Sequence, residues 1–382
     1  MKIDRRTAVV TGASSGIGKE TAMKLALLGY SVIAVARRLD RLKALSEKVK
    51  GIIPYQCDLS SPGKVDEFCR YVSNLKNPVS VLINNAGYGI RGAIEEVDVG
   101  EAKNLFQVNF FSFIQITAAC LPGMRKKKNG VIVNVSSIAG KVAFPMSGIY
   151  AASKHAVEAV TDALRLEVRP FGIRVIAIRP GSIATEFNNM LKALSDDTHA
   201  GTSGYYQKYH KKLQDNFRKL FANKTMPGPG LIADIIIEAV QSASPKAVYP
   251  AGFIMEEFMG ARSMMDDEKF HGFMMEKTGL EEMSGSDSPG KQESGHNFIL
   301  NNSHEAREEY HYGKLFINVN LSRREKEVLS HLVKGLTNRG ISREMGIKTS
   351  TVKSHVDNIF NKMGVNDRTL ASVLAILNNL VS

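Results

Sequence analysis

Tyr150 and Lys154 stand four residues apart, the spacing that puts two side chains on one face of a helix. A free phenol with a pKa near 10 is a poor acid or base at neutral pH, but an adjacent ammonium favours its ionised form and draws it toward working range. Tyr150 then reads as a proton donor to a carbonyl, with Lys154 as the charge that tunes it. Upstream, Ser137 can hydrogen-bond a carbonyl oxygen as negative charge develops there. A lone Tyr-x-x-x-Lys pair is ordinary helix surface. Here it follows Asn84-Asn85-Ala86-Gly87, Asn109 and Val135-Ser136-Ser137 in fixed order, and that order points to hydride chemistry on a carbonyl or alcohol.

Hydride transfer needs a carrier, and the first glycine loop supplies a cradle for a dinucleotide. Thr11-Gly12-Ala13-Ser14-Ser15-Gly16-Ile17-Gly18 lies between an apolar run and an amphipathic helix that is expected to begin at Gly18. Gly12 permits a tight turn, Gly16 lets the backbone approach a pyrophosphate, and Gly18 allows close helix packing. The second apolar run ends Val35-Ala36-Arg37-Arg38. A carboxylate there would hold a ribose 2′-hydroxyl, whereas Ala36 removes its repulsion and Arg37 and Arg38 offer forks to a 2′-phosphate. The expected cofactor is NADP, in practice NADPH.

Those loops must be positioned by a sheet. Apolar runs at Thr7–Thr11, Ser31–Ala36, Ile52–Gln56, Val79–Ile83, Gly130–Val135, Arg174–Ile178 and Ala247–Tyr249 alternate with helical patterns. That alternation predicts an α/β fold, a Rossmann-like doubly wound parallel sheet covered on both faces. After about Met283 the composition turns to Ser, Gly, Asp, Asn, His and Glu until about Tyr310. The expected organisation is an NADP-binding domain over 1–282, a flexible linker over 283–314 and a small all-α helix-turn-helix domain over 315–382. About 30 residues of flexible coil would span roughly 30 Å r.m.s. and let the two domains move independently.

In the last part, Ser322 followed three residues later by Glu325 predicts a capped helix start. A second helix is expected over Asn338–Met345, stopped by Gly346, and a third from Thr349. A short turn between two such helices is the geometry that lays the later helix in the major groove of DNA. Val352, Val356, Ile359 and Phe360 supply an inward face. Lys353 can reach a base edge or phosphate, and Lys348 and Thr351 a phosphate.

Bulk charge argues little for DNA, although the chain is formally +12. Residues 321–370 hold ten Lys/Arg against five Asp/Glu, residues 276–310 hold three against eight, and residues 1–275 carry most of the excess. Cys57, Cys69 and Cys120 have no metal-ligand spacing and form no even-numbered framework, which fits a reducing cytoplasm. The charged start from Met1 runs straight into a strand without an apolar leader region. The most apolar stretch, Phe106–Cys120, is too short to span a bilayer and is expected as a buried helix. No membrane span and no metal are expected.

The first part closely resembles the short-chain dehydrogenase/reductase family over about residues 5–255, in the subgroup with a Thr-Gly-x-x-x-Gly-x-Gly loop. The resemblance implies a catalytic tetrad of Asn109, Ser137, Tyr150 and Lys154, with Asn109 supporting a water-linked relay to Lys154. Ser137 is preferred to Ser136 because the family places its serine thirteen residues before the tyrosine. It further implies that Asp58 contacts the adenine amino group and that Asn85, Ala86 and Gly87 line the cofactor site. Within Arg179-Pro180-Gly181-Ser182-Ile183-Ala184-Thr185, Ile183 would touch the nicotinamide carboxamide and Thr185 the phosphate region. The long stretch Phe187–Pro229, with Tyr205, Tyr206, Tyr209, Phe217 and Phe221, stands where the family has its substrate lid and suggests a bulky, hydrophobic substrate. Met255, Met259, Met264, Met265, Met274 and Met275 are either core or an apolar entrance.

The last part resembles the DNA-binding domain of LuxR-type regulators, through Leu321-Ser-x-Arg-Glu-x-Glu-Val-Leu329, Thr351-Val-Lys-x-His355, Asn358-Ile359, Lys362 and Asn366-x-Arg368. Lys348, Thr351, Val352, Lys353 and His355 form the expected DNA-facing set. Arg339-Gly340-Ile341-Ser342 departs from the family, and Gly340 is expected to loosen the second helix. Two functions compete. One is an NADP-dependent oxidoreductase of carbonyls or secondary alcohols carrying a double-stranded-DNA-binding module; the other is a transcription regulator whose reductase domain senses NADPH or a ligand. Either is expected to form homo-oligomers in a prokaryotic cytoplasm, pairing the DNA-binding tails.

Overall fold

The computed structural model describes residues 6–186, 204–221, 225–253, 255–280 and 321–363, with a few isolated positions after that. The expected linker over 283–314 lies outside the described residues. These residues form two compact units, one within 1–291 and the other within 292–382.

The first unit is built on seven parallel strands: β1 Thr7–Thr11, β2 Ser31–Ala36, β3 Ile52–Gln56, β4 Val79–Asn84, β5 Gly130–Val135, β6 Ile173–Pro180 and β7 Val248–Ala251. Their order is β3-β2-β1-β4-β5-β6-β7. The order in which strands are added therefore reverses between β1 and β4, and ligands of such sheets bind at the crevice beyond the strand ends there. β1 and β5 are buried along their whole length, as a sheet covered on both faces requires. The last strand is shifted slightly C-terminal of its expected place, because Pro250 and Ala251 pair with Arg179 and Pro180.

One face is covered by α1 (Gly16–Leu27), α2 (Leu39–Lys48) and α8 (Pro229–Gln241). Ala22, Leu25, Ile232 and Ile236 pack there on Val10, Val32 and Ile83. On the other face lie α3 (Pro62–Ser73), α5 (Ser112–Lys127) and α6 (Gly148–Val168), where Phe68, Ile116, Met124 and Leu164 meet Val9, Ile33 and Ile132. α1 begins at Gly16, two residues before its expected start, since Gly18 already packs within the first turn.

α4 (Val99–Phe106), a π-helical turn (Gln107–Phe111) and α5 make one continuous run over Val99–Lys127, long and apolar enough by composition to cross a membrane. Phe113, Ile116, Cys120 and Met124 pack inward, whereas Phe111 and Ile114 are exposed. The stretch expected as a buried helix is thus an amphipathic one. Beyond β6, α7 (Gly204–Phe221), α9 (Met255–Met264) and α10 (Asp267–Thr278) complete the unit.

The second unit holds α11 (Arg323–Val333), α12 (Asn338–Met345) and α13 (Thr349–Met363). Val328, Leu329, Leu332, Ile341, Val352, Val356 and Ile359 form its core. Gly346 ends α12 at φ 63°, the left-handed conformation that costs glycine nothing.

Candidate active site and DNA-facing helix

The glycine loop follows β1 directly. A Cβ on Gly12 would lie 2.7 Å from Asn85 Nδ2, and one on Gly18 only 2.4 Å from the same nitrogen and from the Gly12 carbonyl oxygen. Asn85 is locked against the loop because its Nδ2 donates to the Thr11 carbonyl at 3.0 Å. The Thr11 hydroxyl in turn accepts from the backbone N–H groups of Asn85 and Ala86. Gly16 sits at φ 55° with open space around it except for the Thr185 methyl, 3.5 Å from an added Cβ. The loop and the Pro180–Thr185 segment therefore converge over the N-terminus of α1, whose first-turn N–H groups suit a pyrophosphate.

At the end of β2, Ala36 is buried and Arg37 and Arg38 are exposed. Arg38 donates to the hydroxyls of Ser14 and Ser15 at 3.0 and 2.9 Å, tying the arginine to the glycine loop. The same guanidinium and that of Arg41 reach Glu186, whose carboxyl they hold below its ordinary pKa. Asp58 follows β3 and accepts from the Ser60 N–H and hydroxyl at 3.0 and 2.8 Å. This donor set, with a cradle that a Cβ would fill, fits a nicotinamide dinucleotide.

Asn109 occupies the π-helical turn, an insertion that recurs at functional sites. Its Oδ1 accepts from the Tyr88 N–H and its Nδ2 donates to the Tyr88 carbonyl and the Ser153 hydroxyl. A Cβ on Gly87 would stand 3.1 Å from Asn109 Oδ1 and 3.5 Å from Lys154 Nζ, so the bare backbone of Gly87 lets both groups approach. A cavity of about 10 Å³, the size of one water, is lined by Asn84, Asn109 and Lys154 among others.

Ser137 ends the β5 segment, and its side chain hydrogen-bonds that of Tyr150. Ser136 points elsewhere: its hydroxyl is buried beside Gly140. Lys154 is buried, its Nζ donating to the Val135 carbonyl at 2.9 Å and lying 5.9 Å from the Tyr150 ring centre. Burial holds the Lys154 pKa down to about 8, opposed by the charge of Glu158. Burial likewise pushes the Tyr150 phenol up to about 12, against the Ser137 hydrogen bond. The expected depression of Tyr150 by Lys154 is thus not met as these side chains stand, because the ammonium is turned to a backbone carbonyl.

Several participants escaped the sequence reading. Glu158 is buried and receives a bidentate pair from Arg179 at 2.9 and 2.8 Å. It lies one turn beyond Lys154 on α6 and joins that helix to the strand end preceding Pro180, a spacing visible in sequence although its partner is not. Arg41, Ser153 and Glu186 are further members. Phe144 packs with Phe217 and Phe258 at ring-centre distances of 6.0 and 5.1 Å, next to Ile138 and Met274. Met274 is therefore core, as is part of the surrounding methionine set. The side chains of Tyr205 and Phe221 and all of 187–203 lie outside the described residues.

In the second unit, Lys348, Thr351 and Lys353 are exposed along the start of α13 and the turn before it, and His355 is half-buried. Val352 is a correction: it is 0% exposed within the helical core and offers no surface to a groove. Arg368 is half-buried and reaches the Leu336 carbonyl and Asn338, and the exposed Lys362 pairs with Glu325 at 2.8 Å.

This fold, with this cluster of side chains at the strand ends, is that of a short-chain dehydrogenase. A family model described as "short chain dehydrogenase" matches residues 6–195, and one for "Bacterial regulatory proteins, luxR family" matches 319–375. The chain is 33% identical over 254 residues to the uncharacterized oxidoreductase YbbO of Escherichia coli, covering 66% of this chain and 88% of that one. It is 41% identical over 180 residues to a probable short-chain type dehydrogenase/reductase, VdlC, of Helicobacter pylori, covering 47% and 66%. A solved short-chain dehydrogenase from Streptomyces avermitilis superposes with a TM-score of 0.60 at 26% identity, over 74% of this chain and all of that one. A metagenomic short-chain oxidoreductase solved in complex with NADP gives 0.51 at 27% identity, over 64% and 96%. The chain belongs to the short-chain dehydrogenase/reductase family and carries, in addition, a LuxR-type DNA-binding domain.

Proposed function

We propose that the first unit is an NADP-dependent reductase acting between a carbonyl and a secondary alcohol, and that the second reads double-stranded DNA. The convergence of Ser137, Tyr150 and Lys154 beside Asn109 and Gly87 is the observation that carries the reading. NADP(H) supplies the hydride when bound, the glycine loop and Pro180–Thr185 holding its pyrophosphate and Arg37 and Arg38 its 2′-phosphate. Ser137 orients the substrate oxygen. Tyr150 donates a proton to that oxygen as the carbon is reduced, and Lys154, once protonated and turned toward the phenol, lowers the cost of the phenolate left behind. Asn109 anchors Tyr88 and with it the wall over Lys154, while Asp58 faces the adenine end.

The half-buried rings of Phe144 and Phe217, packed on the buried Phe258, support a bulky apolar body on the substrate. Lys348, Thr351 and Lys353, with His355 at their edge, support a phosphate and base contact by α13. The boundaries proposed are 1–282 for the enzyme, 283–314 for the linker and 315–382 for the DNA-binding domain, in a cytoplasmic homo-oligomer. The decisive experiment measures NADPH oxidation over a carbonyl panel with wild type and Tyr150→Phe. Turnover that drops at least about 100-fold in the variant, with NADPH binding retained, is expected; equal rates would overturn the reading. Lys353→Ala should weaken DNA binding and lessen its salt dependence.

A further inference from the structure

Arg91 lies in the loop after β4, four residues beyond Gly87. That loop touches the catalytic groups from both sides. Tyr88 is bonded through its backbone to Asn109, the Gly92 N–H donates to the Met146 carbonyl at 3.0 Å, and Ile94 packs against Gly148, two residues before Tyr150. Arg91 is half-buried, and its Nε is fully buried with no hydrogen-bond partner among the described residues. Its guanidinium makes no ion pair there either. Among the carboxylates of the same loop, Glu95 is taken by the Tyr206 hydroxyl of α7, and neither Glu95 nor Glu96 acts on the charge of Arg91. Burial alone displaces the guanidinium pKa, and it does so downward, with no neighbouring charge to oppose it.

Desolvating a cation without a partner opposes folding, and a guanidinium carries five donors in a planar fork matched to a carboxylate or phosphate. An apolar residue would cover the same ground at no such cost. An arginine without a partner among the described residues, in a loop packed against the start of the helix that carries Tyr150, is therefore placed for a ligand. Resting on the reductase reading above, we propose that Arg91 anchors an anionic group of the carbonyl substrate, a carboxylate or phosphate, while the aromatic cluster holds its apolar body. The substrate class is then an oxo acid or a phosphorylated ketone or aldehyde in place of a neutral lipid-like ketone.

Matched pairs test this: 4-oxopentanoate against its methyl ester, and dihydroxyacetone phosphate against dihydroxyacetone. Wild type is expected to prefer one anion over its neutral counterpart by at least about tenfold in kcat/KM, and whichever pair shows it separates carboxylate from phosphate recognition. In Arg91→Met that ratio should collapse to near one, with Arg91→Lys between. Thermal melting supplies a readout that a merely structural arginine would not move in this direction. Without ligand, Arg91→Met should melt higher than wild type, and the preferred anion should raise the melting temperature of wild type but not of the variant. A ratio near one in wild type for both pairs, or a ratio unchanged in Arg91→Met, overturns the proposal. Should Tyr150→Phe prove as active as wild type, the reductase reading fails instead, and the Arg91 site is then decided by the anion-dependent melting shift alone.

Discussion

Arg38 and Glu186, 148 residues apart, meet through a side-chain hydrogen bond of 3.1 Å at the edge of the glycine loop. Arg41 holds the other side of the same carboxylate at 2.7 Å. Both ends of the pair are about half exposed, so the bond contributes at most about 1 kcal/mol. On the proposed binding mode it places an anion where a 2′-phosphate would need the same guanidinium, so that the two would compete. Glu186→Gln should therefore tighten NADPH binding by up to about fivefold, an effect that shrinks at high salt. Arg38→Ala should weaken NADPH but leave NADH nearly unchanged. Fluorescence titration of both coenzymes at two ionic strengths measures this, and unaltered NADPH affinity in Glu186→Gln would sink the competition.

The Lys154 ammonium sets a pH dependence whose sign is opposite to that of a salt-bridged lysine. Its folded pKa of about 8 lies below the ordinary 10.5, so between these values the unfolded chain binds the extra proton. Stability attributable to Lys154 therefore rises with pH through that window. Lys154→Met should melt higher than wild type at pH 7, with the gap closing as pH approaches 10. The variant should also lose carbonyl reduction by at least about 100-fold. In wild type, reduction should decline above pH 8, where the ammonium that stabilises a Tyr150 phenolate loses its proton. A pH–rate profile flat to pH 9.5 would remove Lys154 from this role.

Periodicity and short spacing made much of this molecule readable before any coordinates. The seven strands follow from β-rich runs separated by turn residues, and Tyr150 and Lys154 from one helical turn. α12 spans the expected Asn338–Met345 and ends where Gly346 requires, although its Thr337 cap was not anticipated. Contacts that depend on distant segments were not readable. Glu158 meets Arg179 only because α6 and β6 pack together, and Arg38 meets Glu186 only where the loop after β6 returns to β2. Arg91 looks like any loop arginine until it is seen to have no partner among the described residues. Val352 carries two readings: the helical pattern puts it on the inward face and its place in the LuxR-like motif suggests a groove contact, and the packing of α11 and α12 follows the pattern.

Glu325 gives the second unit an acid-sensitive lock. Its Oε2 accepts from Lys362 Nζ at 2.8 Å and from the Ser322 N–H at 2.7 Å, completing the capping box of α11. The Lys362 ammonium and the Ser322 N–H together hold the carboxyl at about 2, below its ordinary 4.5. The stabilisation is complete above pH 4.5 and is lost as pH falls toward 2. Amide hydrogen exchange in α11 and α13 of the full chain should thus lose protection between pH 5 and 3. Glu325→Gln should start less protected at pH 6 and lose little more over the same range. Parallel pH curves for the two proteins would count against the lock.

Gly340 sits in the first turn of α12 where a side chain can be accommodated. An added Cβ would stand 3.5 Å from the Leu336 side chain, ordinary contact distance, and the residue is in normal helical conformation. Nothing about the backbone therefore requires glycine, which costs a helix about 0.5–1 kcal/mol relative to alanine. Its N–H already bonds the Thr337 hydroxyl at 3.3 Å, a cap that alanine preserves. Gly340→Ala should then slow hydrogen exchange in α12 by about two- to fivefold, the equivalent of that free energy. Because α12 supports the turn that aims α13, DNA affinity should rise or hold, never fall. Weaker DNA binding in a better-protected Gly340→Ala chain would mean that the looseness of α12 is itself used in recognition.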